Sequence, residues 1–279
     1  MSTIIFHSNS LNYEQCKLIE RFFGEHGSLQ KIKNHYRIES KQSYSQAQIK
    51  ALSEQVKIDI NIVPENFNSN NVKLLISDMD STLIAIECID EIADYINVKP
   101  QVSAITEAAM RGELNFEESL TERVALLKGL NTDALDHVFT DRLKLNPGAE
   151  TWIQGLHKED IKFALVSGGF TFFTERLKKQ LNLDYARANV LEENNNELTG
   201  KVIGGIIGAQ AKADFLHELC QELNIKPHQV IAVGDGANDL LMMKEAGLSV
   251  AYHAKPAVQK QAKTSLNYAG LDAILDFIN

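Results

Sequence analysis

Four aspartates fall in two short motifs, Asp78-Met-Asp80-Ser-Thr82 and Gly234-Asp235-Gly-Ala-Asn238-Asp239, with Ser167-Gly168-Gly169 between them and Lys212 opening a helical pattern further on. Four carboxylates gathered in one cleft repel one another, and desolvation would force some of them neutral. A hard divalent cation removes that cost, and an oxygen ligand set with no His or Cys points to magnesium. Each stretch alone is a weak signal. Asp-x-Asp-x-Thr is more often a loop or a helix cap, Ser-Gly-Gly can be a turn, and a lone lysine is usually a solvated helix residue. Gly-Asp-Gly-x-Asn-Asp is more specific, because two glycines allow close backbone approach and two acids flank an amide. Their weight lies in where they fall together.

Residues 72–77, 161–166 and 230–233 are short apolar runs of the kind that form buried parallel strands, and they end at Asp78, Ser167 and Gly234-Asp235. Helical patterns over 149–158, 172–181 and 211–223 alternate with them. The alternation predicts a doubly wound α/β sheet, in which ligands bind outside the carboxyl ends of the strands. Residues 186–203 interrupt it, with Asn194-Asn195-Asn196 at the turn of a predicted hairpin. Four helical patterns also lie between Asp78 and Ser167. They are marked by Ile89, Ile92, Ala93 and Ile96; by Ile105, Ala108 and Ala109; by Phe116, Leu120, Val124 and Leu127, with Asn115 and Glu118 as a capping pair; and by Leu135, Val138, Phe139 and Leu143. A helical bundle inserted after the first strand, at about residues 88–145, predicts a cap over the strand ends.

A polar, asparagine-rich stretch at residues 64–71 reads as a linker. Before it, residues 3–7 predict a strand, and Asn12 with Gln15 caps a helix over Tyr13–Phe23 that Gly24 and Gly27 end. Residues 29–39 predict one strand from the alternation of Ile32, Tyr36 and Ile38. Ser45 with Gln48 caps a helix bearing Ile49, Leu52 and Val56, and residues 56–62 predict a last strand. A βαβαβ module over residues 1–63 is marginal alone and is expected to dock on a larger surface.

The 279 residues are 44% hydrophobic and 23% charged, near the globular average, which excludes a disordered or fibrous chain. No apolar run approaches the ~18 residues of a membrane span. The N-terminus carries no basic segment followed by a long apolar one. Cys16, Cys88 and Cys220 are few and far apart, which suits a reducing compartment, so a soluble cytoplasmic protein is expected. The formal charge of −9 is uneven, with 8 Lys+Arg against 7 Asp+Glu in residues 1–70 and 20 against 30 in the remainder. That acidic balance fits carboxylates around a cation and argues against a nucleic-acid surface, which needs a basic stripe.

These residues resemble the haloacid-dehalogenase-type phosphotransferases and, among them, the phosphoserine phosphatases. The resemblance covers about residues 72–279. It is carried by Asp78-Met-Asp-Ser-Thr-Leu83, Glu87-Cys-Ile-Asp-Glu-Ile92, Leu114-Asn-Phe-Glu-Glu-Ser-Leu120, Arg123-Val124, Val166-Ser-Gly-Gly-Phe170, Ala211-Lys212 and Val233-Gly-Asp-Gly-Ala-Asn-Asp239. It implies hydrolysis of O-phospho-L-serine, the last step of serine biosynthesis, through a phosphoaspartate. Asp78 would be the nucleophile, and Asp80 the acid that protonates the leaving oxygen and then the base that activates water. Mg²⁺ would rest on the Asp78 carboxylate, the Asp80 carbonyl and Asp235, with Asp239 in support. Ser167, the Gly168 amide and Lys212 would bind phosphoryl oxygens. Residues 1–63 resemble the small regulatory-type module of some bacterial members, though shorter than a full ferredoxin-like βαββαβ unit. Serine sensing, a homodimer contact and simple packing are the roles open to it.

By the same resemblance the cap selects the substrate. Arg123 lies on the apolar side of its helix, where a structural arginine would need an acidic partner. The resemblance instead gives it the α-carboxylate of phosphoserine, with Glu87 on the α-ammonium group, Met110 and Phe116 as an apolar wall and Asn238 touching the substrate. His137, His157 and His217 match no motif. Two other readings remain: a relative such as a phosphoserine-to-homoserine phosphotransferase or a sugar-phosphate phosphatase, and a receiver-like phosphoacceptor protein. The inserted cap and the second acid, Asp80, weigh against the receiver.

Overall fold

In the computed structural model, which describes residues 2–24 and 27–278, the two predicted capping boxes set the N-terminal unit. Asn12 and Ser45 each accept the N–H three residues on, and Gln15 and Gln48 return a bond to the cap backbone. They start α1 (Tyr13–Phe23) and α2 (Gln46–Val56), which pack on a sheet of β1 (Ser2–Phe6), β2 (Gln30–Ile32), β3 (His35–Ser40) and β4 (Ile60–Ile62). The strand order is β2-β3-β1-β4, with every pair antiparallel. The single strand expected over 29–39 is therefore a hairpin, and the unit is βαββαβ. Its two-residue turn takes Lys33 into the left-handed region (φ 50) and pairs Ile32 with His35. No glycine marks that turn, and the alternation of apolar residues passes through it unchanged.

The larger sheet begins at β5 (Leu74–Ser77), followed by α3 (Cys88–Tyr95), α4 (Lys99–Met110), α5 (Phe116–Ala125) and α6 (Asp133–His137), which form the inserted cap. The chain returns through α7 (Ala149–Lys158), β6 (Lys162–Phe170), α8 (Thr171–Leu181), β7 (Tyr185–Asn194), β8 (Glu197–Ile203) and α9 (Ala209–Glu222). It ends with β9 (Val230–Gly234), α10 (Leu240–Glu245), β10 (Leu248–Tyr252), α11 (Pro256–Gln259) and β11 (Thr264–Leu266). The order is β11-β10-β9-β5-β6-β7-β8, parallel except for β8. Successive residues of β5 explain the unbroken apolar run: Leu75 faces one buried layer with Trp152 and Phe163, while Leu74 and Ile76 face another with Leu216 and Met242. The hairpin turn carries Asn195 and Asn196 at φ 52 and 63, a conformation asparagine tolerates.

Backbone bonds tie the cap at its neck and along β8. At its neck Ile84 bridges Leu145, and Ala85 N–H donates to Lys144 O (2.8 Å). At its far side Gly129 N–H donates to Leu198 O (2.7 Å), Leu198 N–H to Leu130 O (2.8 Å) and Thr132 N–H to Asn196 O (2.9 Å). Those bonds occupy groups that edge strand β8 would otherwise leave unpaired.

The surface on which the N-terminal unit docks is the chain's own C-terminal segment. Asp59 accepts the N–H groups of Asn267, Tyr268 and Ala269 at 2.7–2.8 Å, and Asn61 exchanges two bonds with the Ser265 backbone. Asp276 accepts from His7 Nδ1 (2.9 Å) and lies 3.1 Å from His35 Nδ1. No helix among the described residues is long and apolar enough to cross a membrane.

Candidate active site

Where β5 ends, Asp78 N–H donates to Val233 O (3.0 Å), which seats the side chain between the ends of β5 and β9. The chain then makes one wide turn, closed by Ile84 N–H on Met79 O (3.0 Å), with Ser81 at φ 57. This turn brings Asp80 back over the sheet. Its Oδ1 accepts the Cys88 N–H (2.7 Å) and its Oδ2 accepts the Ser167 hydroxyl (3.0 Å). Ser167 Oγ in turn accepts the Gly169 N–H (2.8 Å). A Cβ on Gly169 would lie 2.7 Å from Asp80 Oδ2, so this contact requires glycine.

Lys212 reaches from α9 to Oδ1 of Asp78 and Oδ1 of Asp239, both at 2.7 Å, and is completely buried. Asp239 Oδ2 accepts the Gly236 N–H (2.9 Å), and Asp235 Oδ1 accepts the Thr82 hydroxyl (3.1 Å). Carboxylate oxygens of Asp78, Asp235 and Asp239 lie within 4.8 Å of one another. An all-oxygen cluster of this kind suits a hard divalent cation.

The charges within it are costly. Burial raises Asp78 well above the usual carboxylate range, and Asp239 adds to the rise against the pull of Lys212. Asp235 is pushed up to about 6 by burial and Asp239, with the Thr82 bond opposing. Burial also raises Asp80, opposed by the Cys88 and Ser167 bonds. Lys212, although burial disfavours its charge, is held above its ordinary value by Asp239 and Asp78. A bound cation would lower the acids again.

Above the carboxylates, a cavity of about 710 Å³ lies between the cap and the strand ends. Asp78, Asp80, Glu87, Arg123, Gly168 and Asn238 are on its wall. Glu87 accepts the Ser81 hydroxyl (2.6 Å) and is pushed up to about 7 by burial and the charge of Asp80. Arg123 Nε donates to Ser119 O (3.2 Å), and among the described residues no carboxylate forms an ion pair with it. A Cβ on Gly168 would lie 2.7 Å from Phe116 Cζ, so cap and core meet there. Met110 is on the rim, 65% exposed. Ser167, Lys212 and Asp239 lie beneath the cavity floor, each fully buried.

His137, His157 and His217 stand off the site, beside Asp141, Asp184 and Glu245. Lys255, exposed at the cavity wall, was missed from the sequence; its charge opposes the rise of Asp235. It follows β10, so reading that strand would have exposed another carboxyl-end loop to inspection.

An α/β sheet with carboxylates at its strand ends under an inserted cap defines a hydrolase class, and residues 72–247 match the family described as haloacid dehalogenase-like hydrolase. The chain belongs to that family. It is 51% identical over 224 residues to a phosphoserine phosphatase of Polaromonas sp., covering 78% of this chain and 95% of that relative. The unliganded crystal structure of a probable phosphoserine phosphatase from Vibrio cholerae superposes with TM-score 0.87 at 38% identity, over 99% of this chain and 86% of that one. A phospho-aspartyl intermediate analogue of a phosphoserine phosphatase matches with TM-score 0.70 at 40% identity, over 75% of this chain and 99% of that one.

Proposed function

We propose that this chain hydrolyses O-phospho-L-serine to L-serine and phosphate through a phosphoaspartate on Asp78. The names of its relatives support the reaction. The observation that carries the site assignment is that Asp78 and Asp80 open into the same cavity as Arg123, a guanidinium that forms no ion pair among the described residues and whose charge is favoured by Asp90, Glu87 and Asp80 around it.

In the first step an Asp78 carboxylate oxygen attacks phosphorus in line. The bond from phosphorus to the seryl oxygen breaks as Asp80 delivers its proton to that oxygen. In the second, Asp80 takes a proton from water, the water oxygen attacks phosphorus, and Asp78 leaves as carboxylate. A raised Asp80 suits a group that must hold a proton on arrival. The bond from the Cys88 N–H aims the carboxyl and supports the anion once the proton is gone, while the Ser167 hydroxyl, which donates to Asp80 here, turns its one proton to the phosphoryl group when substrate enters. Ser167, the Gly168 amide and Lys212 position the phosphoryl oxygens.

Mg²⁺ would be held by Asp78, the Asp80 carbonyl and Asp235, with Asp239 in support. When bound it neutralises the charge that keeps one anion from approaching another. Arg123 takes the substrate carboxylate with a bidentate fork, Glu87 takes the ammonium group, and Phe116, Met110 and Asn238 complete the enclosure.

Phosphate release from a panel of phosphorylated amino acids and sugars, with Mg²⁺ and then with chelator, tests this reading. Phosphoserine should be preferred, and chelation should abolish turnover reversibly. Release that rises with an added acceptor alcohol, with the phosphate recovered on the alcohol, would instead identify a transferase. A stable phosphoprotein without turnover would identify a phosphoacceptor.

A further inference from the structure

Two backbone segments bring the proposed phosphate ligands to Asp78, and one buried side chain joins them. Asn189 on β7 is 1% exposed and stands opposite Phe170, just past the point where the β6–β7 register shifts between Val166 and Phe170. Its Nδ2–H donates to Gly168 O (2.8 Å), and its Oδ1 accepts the Ile207 N–H (2.8 Å). Gly168 belongs to the Ser167-Gly-Gly segment. Ile207 precedes Gly208, the N-cap of α9, and Lys212 is the fourth residue of that helix. The partners are a carbonyl and an N–H, so the orientation of the amide is fixed by chemistry.

We infer that Asn189 is a positioning residue for the phosphoryl pocket, holding the Gly168 segment and the Lys212 helix at a set spacing. The register shift leaves Gly168 without a paired residue on β7, and the Asn189 side chain bonds its carbonyl instead. Loss of the amide would therefore remove the partner of two part-buried backbone groups and let the segments drift apart. A misplacement of about 1 Å in such a site costs up to ~10²-fold in rate. Arg187, on the same strand face, is paired with Glu218 of α9. The inference rests on the reading of Gly168 and Lys212 as phosphate ligands.

The test compares Asn189→Leu and Asn189→Asp with the wild type, well below their melting temperatures. Asn189→Leu should lose ~10- to 100-fold in kcat and bind inorganic phosphate, followed by calorimetry with Mg²⁺ present, correspondingly more weakly. A protonated aspartate reproduces both bonds of the amide, whereas an ionised one keeps only the acceptor. The ratio of Asn189→Asp to wild-type kcat should thus be near one at low pH and fall as pH rises. A leucine variant that melts lower yet keeps wild-type kcat and phosphate affinity makes Asn189 a structural filler and overturns the inference. If that variant does not fold, the aspartate variant decides, and a ratio independent of pH overturns it. A wild-type chain that binds phosphate but leaves phosphoserine intact would overturn the substrate reading alone.

Discussion

The Cys88 N–H donates to Oδ1 of Asp80 at 2.7 Å, so the carboxyl assigned to proton transfer is held by the first residue of the cap. The other oxygen of the same carboxyl is held from the core by Ser167. Acid–base geometry therefore depends on cap and core being in register.

Asp80→Asn should lose at least ~10²-fold in phosphoserine turnover, because a seryl alkoxide leaves badly without a proton. An aryl phosphate, whose phenolate departs unaided, should suffer less. Parallel rate measurements on the two esters check this, and equal losses would assign Asp80 to metal binding or folding.

Asp78→Asn preserves shape and removes the attacking oxygen anion. Turnover should vanish with the circular dichroism spectrum unchanged. Residual activity, with deamidation excluded by mass spectrometry, would falsify the phosphoaspartate route.

Arg123→Ala should raise the KM for phosphoserine and cut kcat/KM by roughly ten- to a hundredfold, the equivalent of one charged hydrogen bond at ~1.5–3 kcal/mol. Phosphoethanolamine, which has no carboxylate, should be almost as poor a substrate for the variant as for the wild type. The ratio of the two losses cancels general damage to the cap. Equal losses would move Arg123 to the phosphate or to cap closure.

Asp276 ties the N-terminal unit to the C-terminal segment, and its titration gives a pH-dependent stability. Burial would raise this carboxyl, but the bonds from His35 and His7 more than offset it and hold it below its ordinary 3.8. A depressed folded-state value means that the stabilisation is complete above 3.8 and is lost as pH falls through the lower folded value. Asp276→Asn should therefore melt below the wild type at neutral pH. The two should converge as the wild-type carboxyl protonates, at pH values below its ordinary 3.8. Calorimetric scans across that range are the check, and a constant difference would refute the assignment.

Much of the catalytic half could be read directly from the chain. Its strands are buried on both faces, so runs such as Leu74–Ser77 stand out, and the acids follow them within a few residues. The capping pairs at Asn12, Ser45 and Asn115 are local and were equally plain. What escaped is what depends on distant partners. The turn at Lys33 has no glycine and does not disturb the apolar alternation. β10 and β11 lie beyond Asp239, where the last motif of the chain ends. Asn189 resembles any polar residue in a hairpin until Gly168 and Ile207 come into contact with it. The His7–Asp276 contact spans 269 residues, and no spacing rule reaches that far.

Fixing the cap both at its neck and along β8 makes it an arch rather than a door. Such a span cannot swing wholesale off the sheet, so traffic must pass beneath its exposed edge, where Met110 projects and Gly112 takes the chain round at φ 80. The cavity of about 710 Å³ beneath it holds a compact ester, whereas a phosphoserine within a polypeptide would have to lead two lengths of chain out past the same edge. A phosphoserine-containing peptide should accordingly release no phosphate under conditions where the free amino acid is consumed, as a colorimetric assay would record. Regulatory phosphoproteins would then be spared by the architecture itself, with no residue devoted to rejecting them.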